Sequence, residues 1–189
     1  MWQWSPIGRH ADVGAVLVTG CSGSGKTSVA AELTRRGLDA VDADNVLAAW
    51  LDRTGKPVWL PDDADPAWFS EHTWSWDLEL LDELVDGPGI RYVCGNADNV
   101  ALAWPRFDRA YLLVIDETTM VTRLDNPGRD HDFGRASGQR TWLRNWCPQY
   151  QQQVTALGAI PVDARQPLSA VVDAITGAAE QARQWPDRR

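Results

Sequence analysis

The sequence predicts an α/β fold: a three-layer, doubly wound, five-stranded parallel sheet with helices on both faces. Three observations predict it. Short apolar runs alternate with stretches of helical periodicity along the chain. A glycine-rich turn, Gly20–Thr27, sits between the first apolar run and the first helical one. The 189 residues, 44% hydrophobic and 23% charged, suit one domain with a single core (1–189).

Ala15–Thr19 (AVLVT) reads as a buried first strand ending at Gly20, and Lys26–Arg36 as a helix burying Val29, Ala30 and Leu33 and stopped by Gly37. Leu38–Asp42 reads as the second strand. Asn45–Arg53 reads as a helix, with Asp44 as N-cap and Val46, Leu47 and Trp50 on one face. The stretch 54–66 is rich in Pro, Gly and Asp and reads as a loop. Trp76–Asp86 carries Leu81, Leu84 and Val85 at helical spacing; Ile90–Cys94 is the third strand, followed by the turn Gly95-Asn96-Ala97-Asp98-Asn99. Arg109–Ile115 is the fourth strand, and a helix starts at Thr119–Leu124. The polar segment 125–138 reads as a mobile loop. A helix from Gln139, kinked near Pro148, leads to the last strand, Ala159–Asp163, and the closing helix Ser169–Gln184.

Net charge −8 argues against a general nucleic-acid binder. The longest apolar runs, such as Ala15–Val18 and Leu112–Ile115, fall far short of the roughly 20 residues that span a bilayer. Met1–Pro6 has no basic stretch followed by an apolar one. No nucleic-acid partner, no membrane partner and a cytoplasmic location are therefore expected, as a monomer or homodimer. Cys21, Cys94 and Cys147 are odd in number and far apart, and read as reduced, small apolar side chains. Six of the eleven tryptophans fall between residues 50 and 104, as core filler or as a flat ligand wall.

Gly20-Cys21-Ser22-Gly23-Ser24-Gly25-Lys26-Thr27 fits G-x-x-x-x-G-K-[ST] in full, where a strand opens into a helix. Glycines let successive backbone N–H groups curl around phosphate oxygens, and the helix N-terminus adds partial positive charge. Gly20 through Ser28 are thus expected to bind ATP, with Lys26 on the β- and γ-phosphates and the Thr27 hydroxyl on Mg2+. Asp42 and Asp44, at the carboxyl end of the second strand, point to one side of an extended segment, towards the ligand crevice. One acid near Mg2+ and one near an acceptor hydroxyl is what phosphoryl transfer to a small molecule needs; capping of the next helix by Asp44 is the plainer reading.

The full loop followed by Asp42-Ala43-Asp44 resembles shikimate kinase and gluconate kinase, of the nucleoside-monophosphate-kinase-like group of P-loop NTPases. That resemblance implies the nucleotide-kinase type of sheet and transfer of the γ-phosphoryl of ATP to a hydroxyl or phosphate of a small-molecule acceptor. It implies that Asp42 holds a Mg2+-bound water and that Asp44 binds the acceptor and orients or deprotonates its hydroxyl. It puts an acceptor-binding insert at about 45–88 and a lid at about 125–138. Gly95 and Asn96 fall where those families bind substrate, though they match neither the glycine triplet of the first nor the serine-containing segment of the second. Arg123 and Arg129 are similar to the lid arginines that neutralise charge on the transferred group. His72, Trp74 and Trp76 lie where such kinases build the acceptor pocket; His10 and His131 have no companions.

Asp116-Glu117, ending an apolar strand, poses the rival: an acid pair of a P-loop ATPase or nucleotide-gated switch, with Asp for Mg2+ and Glu for water. Asp116–Thr119 is equally a good helix start.

Overall fold

A strand buried on both faces must carry apolar side chains at successive positions, and Val13–Thr19 (β1) does. In the computed structural model Val16 and Val18 point into one core and Leu17 into the other, all nearly inaccessible. The structure describes residues 13–129 and 132–183. His10, His131, Gln184 and the opening Met1–Pro6 lie outside the described residues.

Lys26–Arg35 (α1) leads to Asp39–Asp42 (β2), a short helix Ala43–Val46 (α2) and Ala48–Leu51 (β3). Pro57–Val58 (β4), Pro66–Glu71 (α3), Thr73–Trp76 (β5) and Leu78–Val85 (α4) follow. Gly89–Cys94 (β6) enters the turn 95–99, then Val100–Ala103 (α5) and a single 3-10 turn. Arg109–Val114 (β7), Glu117–Leu124 (α6), Ser137–Ala156 (α7), Ile160–Asp163 (β8) and Leu168–Arg183 (α8) complete the chain. The five-stranded sheet is parallel at every pair, as the sequence predicts, and its order is β2-β6-β1-β7-β8. Tyr92 and Cys94 of β6 and Tyr111 and Leu113 of β7 join one core with α1 and α8; Val93 and Leu112 join the other with Leu81 and Val154. The three cysteines are buried free thiols. Among the described residues no helix is long and apolar enough to cross a membrane.

The sequence reading fails between residues 45 and 76. The helix expected over Asn45–Arg53 is instead α2 followed by strand β3, and the expected loop 54–66 contains β4. These build a second, antiparallel sheet of order β4-β3-β5, with Trp50 opposite Val58 on one side and Trp74 on the other. Trp50, Trp68, Phe69, Trp74, Phe133 and Trp142 form an aromatic cluster around it. Burying large rings against cross-strand partners outweighs the weak helical periodicity of this stretch. Trp76 likewise ends β5 rather than opening a helix, and Asp77 caps α4 by accepting from the N–H groups of Glu79 and Leu80. At the other end, α7 continues as one helix through Pro148.

Candidate functional site

Among the described residues, Asp42, Asp65, Asp77 and Asp116 each accept a first-turn N–H at the start of a helix. Helix α1 has no such cap. Its N-cap is Gly25, at φ 100°, with no side-chain hydrogen bond and no acid in its first turn. Its leading N–H groups and the positive end of its dipole are therefore left for an anionic ligand. Gly23 is also left-handed, at φ 81°. A Cβ on Gly20 would meet Ser24 Oγ at 2.7 Å and Leu113 O at 2.9 Å, so only glycine lets the chain turn back over β7. Cys21 is fully buried, Ser22 half-buried, and Thr27 and Ser28 are exposed at the mouth.

Lys26 is only 7% exposed, and its Nζ donates to Gly20 O at 3.0 Å. Asp44 Oδ2 lies 3.5 Å from the same Nζ. The lysine of the loop and the carboxylate after β2 therefore face each other, although the helix cap is Asp42 and not Asp44. Asp42 Oδ1 accepts from Asp44 N at 3.2 Å, while its Oδ2 is buried with no hydrogen-bond partner. An orphaned anionic oxygen is costly to bury. Such an oxygen suits a cation or an ordered water, in keeping with the metal role expected of Asp42; Thr27, its expected companion, stands 15 positions earlier and is exposed. Ser24 Oγ is a second buried polar atom without a partner.

The turn after β6 ties these parts together. Gly95 N donates to Val18 O at 3.0 Å, Asn96 N to Asp44 Oδ1 at 2.9 Å, and Asn96 Nδ2 to Gly20 O at 2.9 Å. Asn96 is 6% exposed, so its hydrogen bonds hold the Asp44 carboxylate and the start of the glycine loop in one frame. A Cβ on Gly95 would come within 2.8 Å of Ala43 Cβ, 2.9 Å of Asp44 Oδ1 and 3.0 Å of Trp76 Cζ2. Gly95→Ala should therefore cost about 1–3 kcal/mol by overpacking and displace Asp44 as well. Thermal denaturation read beside turnover checks this; unchanged turnover would show that Asp44 tolerates the displacement.

The arginines are engaged elsewhere. Arg123 lies on α6, not in the 125–138 segment, and donates to Gly23 O and Ser24 O at 3.2 Å and to Ala164 O at 2.7 Å. It straps the glycine loop to the turn after β8. Arg129 donates to Leu124 O and Phe133 O, and burial lowers the affinity of its guanidinium for protons. Residues 133–139 are tied to their surroundings: Gly134 N donates to Gln139 Oε1 at 2.8 Å, Gln139 Nε2 donates to Asp62 O at 3.3 Å, and Phe133 enters the aromatic cluster.

His72 follows α3; its ring stacks on Trp68 with centroids 3.9 Å apart and its Nδ1 bonds Trp68 O at 2.7 Å. Trp76, expected as a ligand wall, is 3% exposed and packs in the main core, whereas Trp74 is half-buried in the aromatic cluster. Neighbours on one strand face thus serve two cores, and only Trp74 keeps an accessible ring.

Asp116 takes the capping role: its Oδ1 accepts from Thr119 N at 2.7 Å, and it lies 3.4 Å from Arg165. These partners hold its carboxyl below the usual carboxylate range, the Thr119 N–H most strongly. Glu117 pairs with Arg144 at 2.8 Å. Asp116→Ala should lower the melting temperature by a few degrees through the lost cap and leave ATP turnover within about threefold. A collapse of turnover would favour the hydrolytic pair instead.

No family model matches the chain, and no curated protein does. Solved structures do. A gluconokinase from Sinorhizobium meliloti 1021 is 20% identical, with 90% of this chain and 94% of that one covered at a TM-score of 0.55. A shikimate kinase from Acinetobacter baumannii, in complex with shikimate, is 14% identical with the same coverage and a TM-score of 0.61. A shikimate kinase from Aquifex aeolicus is 16% identical, covering 91% and 99%, at 0.54. At these identities the likeness concerns architecture, and with the parallel sheet order and the glycine loop opening α1 it shows that this chain has the P-loop, nucleotide-kinase-like fold.

Proposed function

We propose that the protein is an ATP-dependent phosphotransferase that moves the γ-phosphoryl group of ATP to a hydroxyl or phosphate of a small molecule. The observation that carries this reading is the 3.5 Å approach of Lys26 Nζ to Asp44 Oδ2, beside a helix N-terminus without a side-chain cap. A loop for polyphosphate alone needs the lysine and the glycines. A carboxylate set opposite them, with one oxygen fixed by Asn96 N–H, adds a group that accepts a proton from an incoming hydroxyl.

In this reading the acceptor oxygen attacks Pγ, the bond from Pγ to the β–γ bridging oxygen breaks, and the hydroxyl proton passes to the Asp44 carboxylate. Lys26 balances charge on the β- and γ-phosphates. Thr27 and Asp42 would hold Mg2+, which when bound neutralises the phosphate oxygens. The Gly23–Thr27 backbone orients the donor, and Arg123 keeps that backbone in place from behind.

The test is a screen of metabolites and antibiotics for acceptor-stimulated ADP release. The reading expects low release from ATP and Mg2+ alone and a large rise with one compound class. Steady hydrolysis that no acceptor raises, and that survives substitution of Asp44, would sink it.

A further inference from the structure

Resting on the reading of Asp44 as the acceptor-side carboxylate, we propose that Asp98 is the positioning residue of that side: its carboxylate joins the turn after β6 to strand β5 and helix α7 and thereby sets Asn96 against Asp44. The five residues of the turn leave it in different directions. Gly95 and Asn96 bond to β1, Asp44 and Gly20. Asp98 and Asn99 bond outwards. Asp98 Oδ2 accepts from Trp74 N at 2.8 Å, and Asp98 N donates to Trp74 O at 2.7 Å. Asn99 repeats the pattern two residues along, accepting from Trp76 N at 3.0 Å and donating to Trp76 O at 2.9 Å. The turn thus pairs with β5 through one backbone bond and three side-chain bonds.

The second oxygen of Asp98 does what Asn99 does not: Oδ1 accepts from Trp146 Nε1 at 3.0 Å. Trp146 stacks between Trp142, at 5.1 Å, and Tyr150, at 4.5 Å, along α7. Tyr150 OH in turn lies 2.6 Å from Thr19 Oγ1, the residue before Gly20. One carboxylate therefore fixes the turn relative to the antiparallel sheet and to the helix that also braces the start of the glycine loop. Burial pushes the Asp98 carboxyl above the ordinary aspartate range, which the two N–H donors oppose. Such a group is costly to keep unless its geometry serves something.

Two substitutions test this. Asp98→Asn keeps the shape but turns an N–H towards one of the two donors; Trp146→Phe keeps the stacking ring and deletes the donor. Backbone amide exchange by NMR reads Asn96, Trp74 and the hydrogen-bonded amides of Ser24 and Val29, in and beside the glycine loop, separately, with global stability taken from urea unfolding. Both variants should raise exchange at Asn96 by about tenfold or more beyond the change in global stability, leave Ser24 and Val29 within about threefold, and leave ATP·Mg2+ affinity within about threefold. With an acceptor in hand, kcat should fall by about tenfold while the KM for ATP stays put. Protection at Asn96 that does not move in either variant, with Trp74 alone loosened, would overturn the proposal and leave Asp98 a bolt for the antiparallel sheet. If Asp98→Asn does not fold, Trp146→Phe decides alone. The exchange result needs no acceptor, so failure of the kinase reading, seen as acceptor-independent turnover, is told apart from failure of this one.

Discussion

Lys26→Ala is expected to reduce acceptor-stimulated ADP release by about three to five orders of magnitude, on the scale of removing a charge set against a transferring phosphoryl group. The size follows from where the ammonium sits. It is 7% exposed and held by Gly20 O and Asp44, so no flexible surface lysine can replace it and little water reaches it. The loss has two parts: weaker donor binding, and loss of charge balance that grows as the bond to Pγ lengthens. Titration calorimetry with ATP and Mg2+ reads the first, and single-turnover rates at saturating ATP read the second. Lys26→Met, which keeps the buried volume, separates charge from packing; it should behave like Lys26→Ala in turnover and melt closer to the parent. Turnover within tenfold of the parent in either variant would remove the donor assignment.

Asp44→Asn is expected to lower phosphoryl transfer by about two to four orders of magnitude while ATP·Mg2+ affinity stays within about fivefold. The amide oxygen can still accept from Asn96 N–H, so the local frame survives, but the amide nitrogen then faces the Lys26 ammonium and no basic oxygen faces the acceptor. Loss of transfer with binding retained is the signature of a group acting on the nucleophile. An unchanged transfer rate would eliminate Asp44 as base. A parallel collapse of ATP affinity would make it a partner of Lys26 only.

Residue types explain why the glycine loop, the parallel sheet and the presence of carboxylates just after the second strand were legible beforehand. Left-handed turns demand glycine, strands buried on both faces demand continuous apolar runs, and strand ends in such a sheet line one crevice. Each is a local requirement that leaves its mark on neighbouring positions. The roles of Asn96, Asp98 and the arginines were not legible, because nothing local announces them. Arg123 and Arg129 have the composition of lid cations, and only their carbonyl partners reveal that they brace backbone. Trp76 and Trp74 look alike in sequence, yet one is core and the other half-buried in an aromatic cluster.

By itself, then, the sequence determined the loop that opens α1, the five strands with their two buried faces, and the carboxylates that end β2. The tertiary structure alone decided which carboxylate faces Lys26, that 48–51, 57–58 and 73–76 pair as strands, and which side chains hold the turn after β6. The physical reason is the range of the forces. Backbone chirality and side-chain periodicity act over a few residues. The hydrogen bonds that assemble this site join Asn96 to Asp44 across 52 positions and Tyr150 to Thr19 across 131, and exist only once the chain has folded.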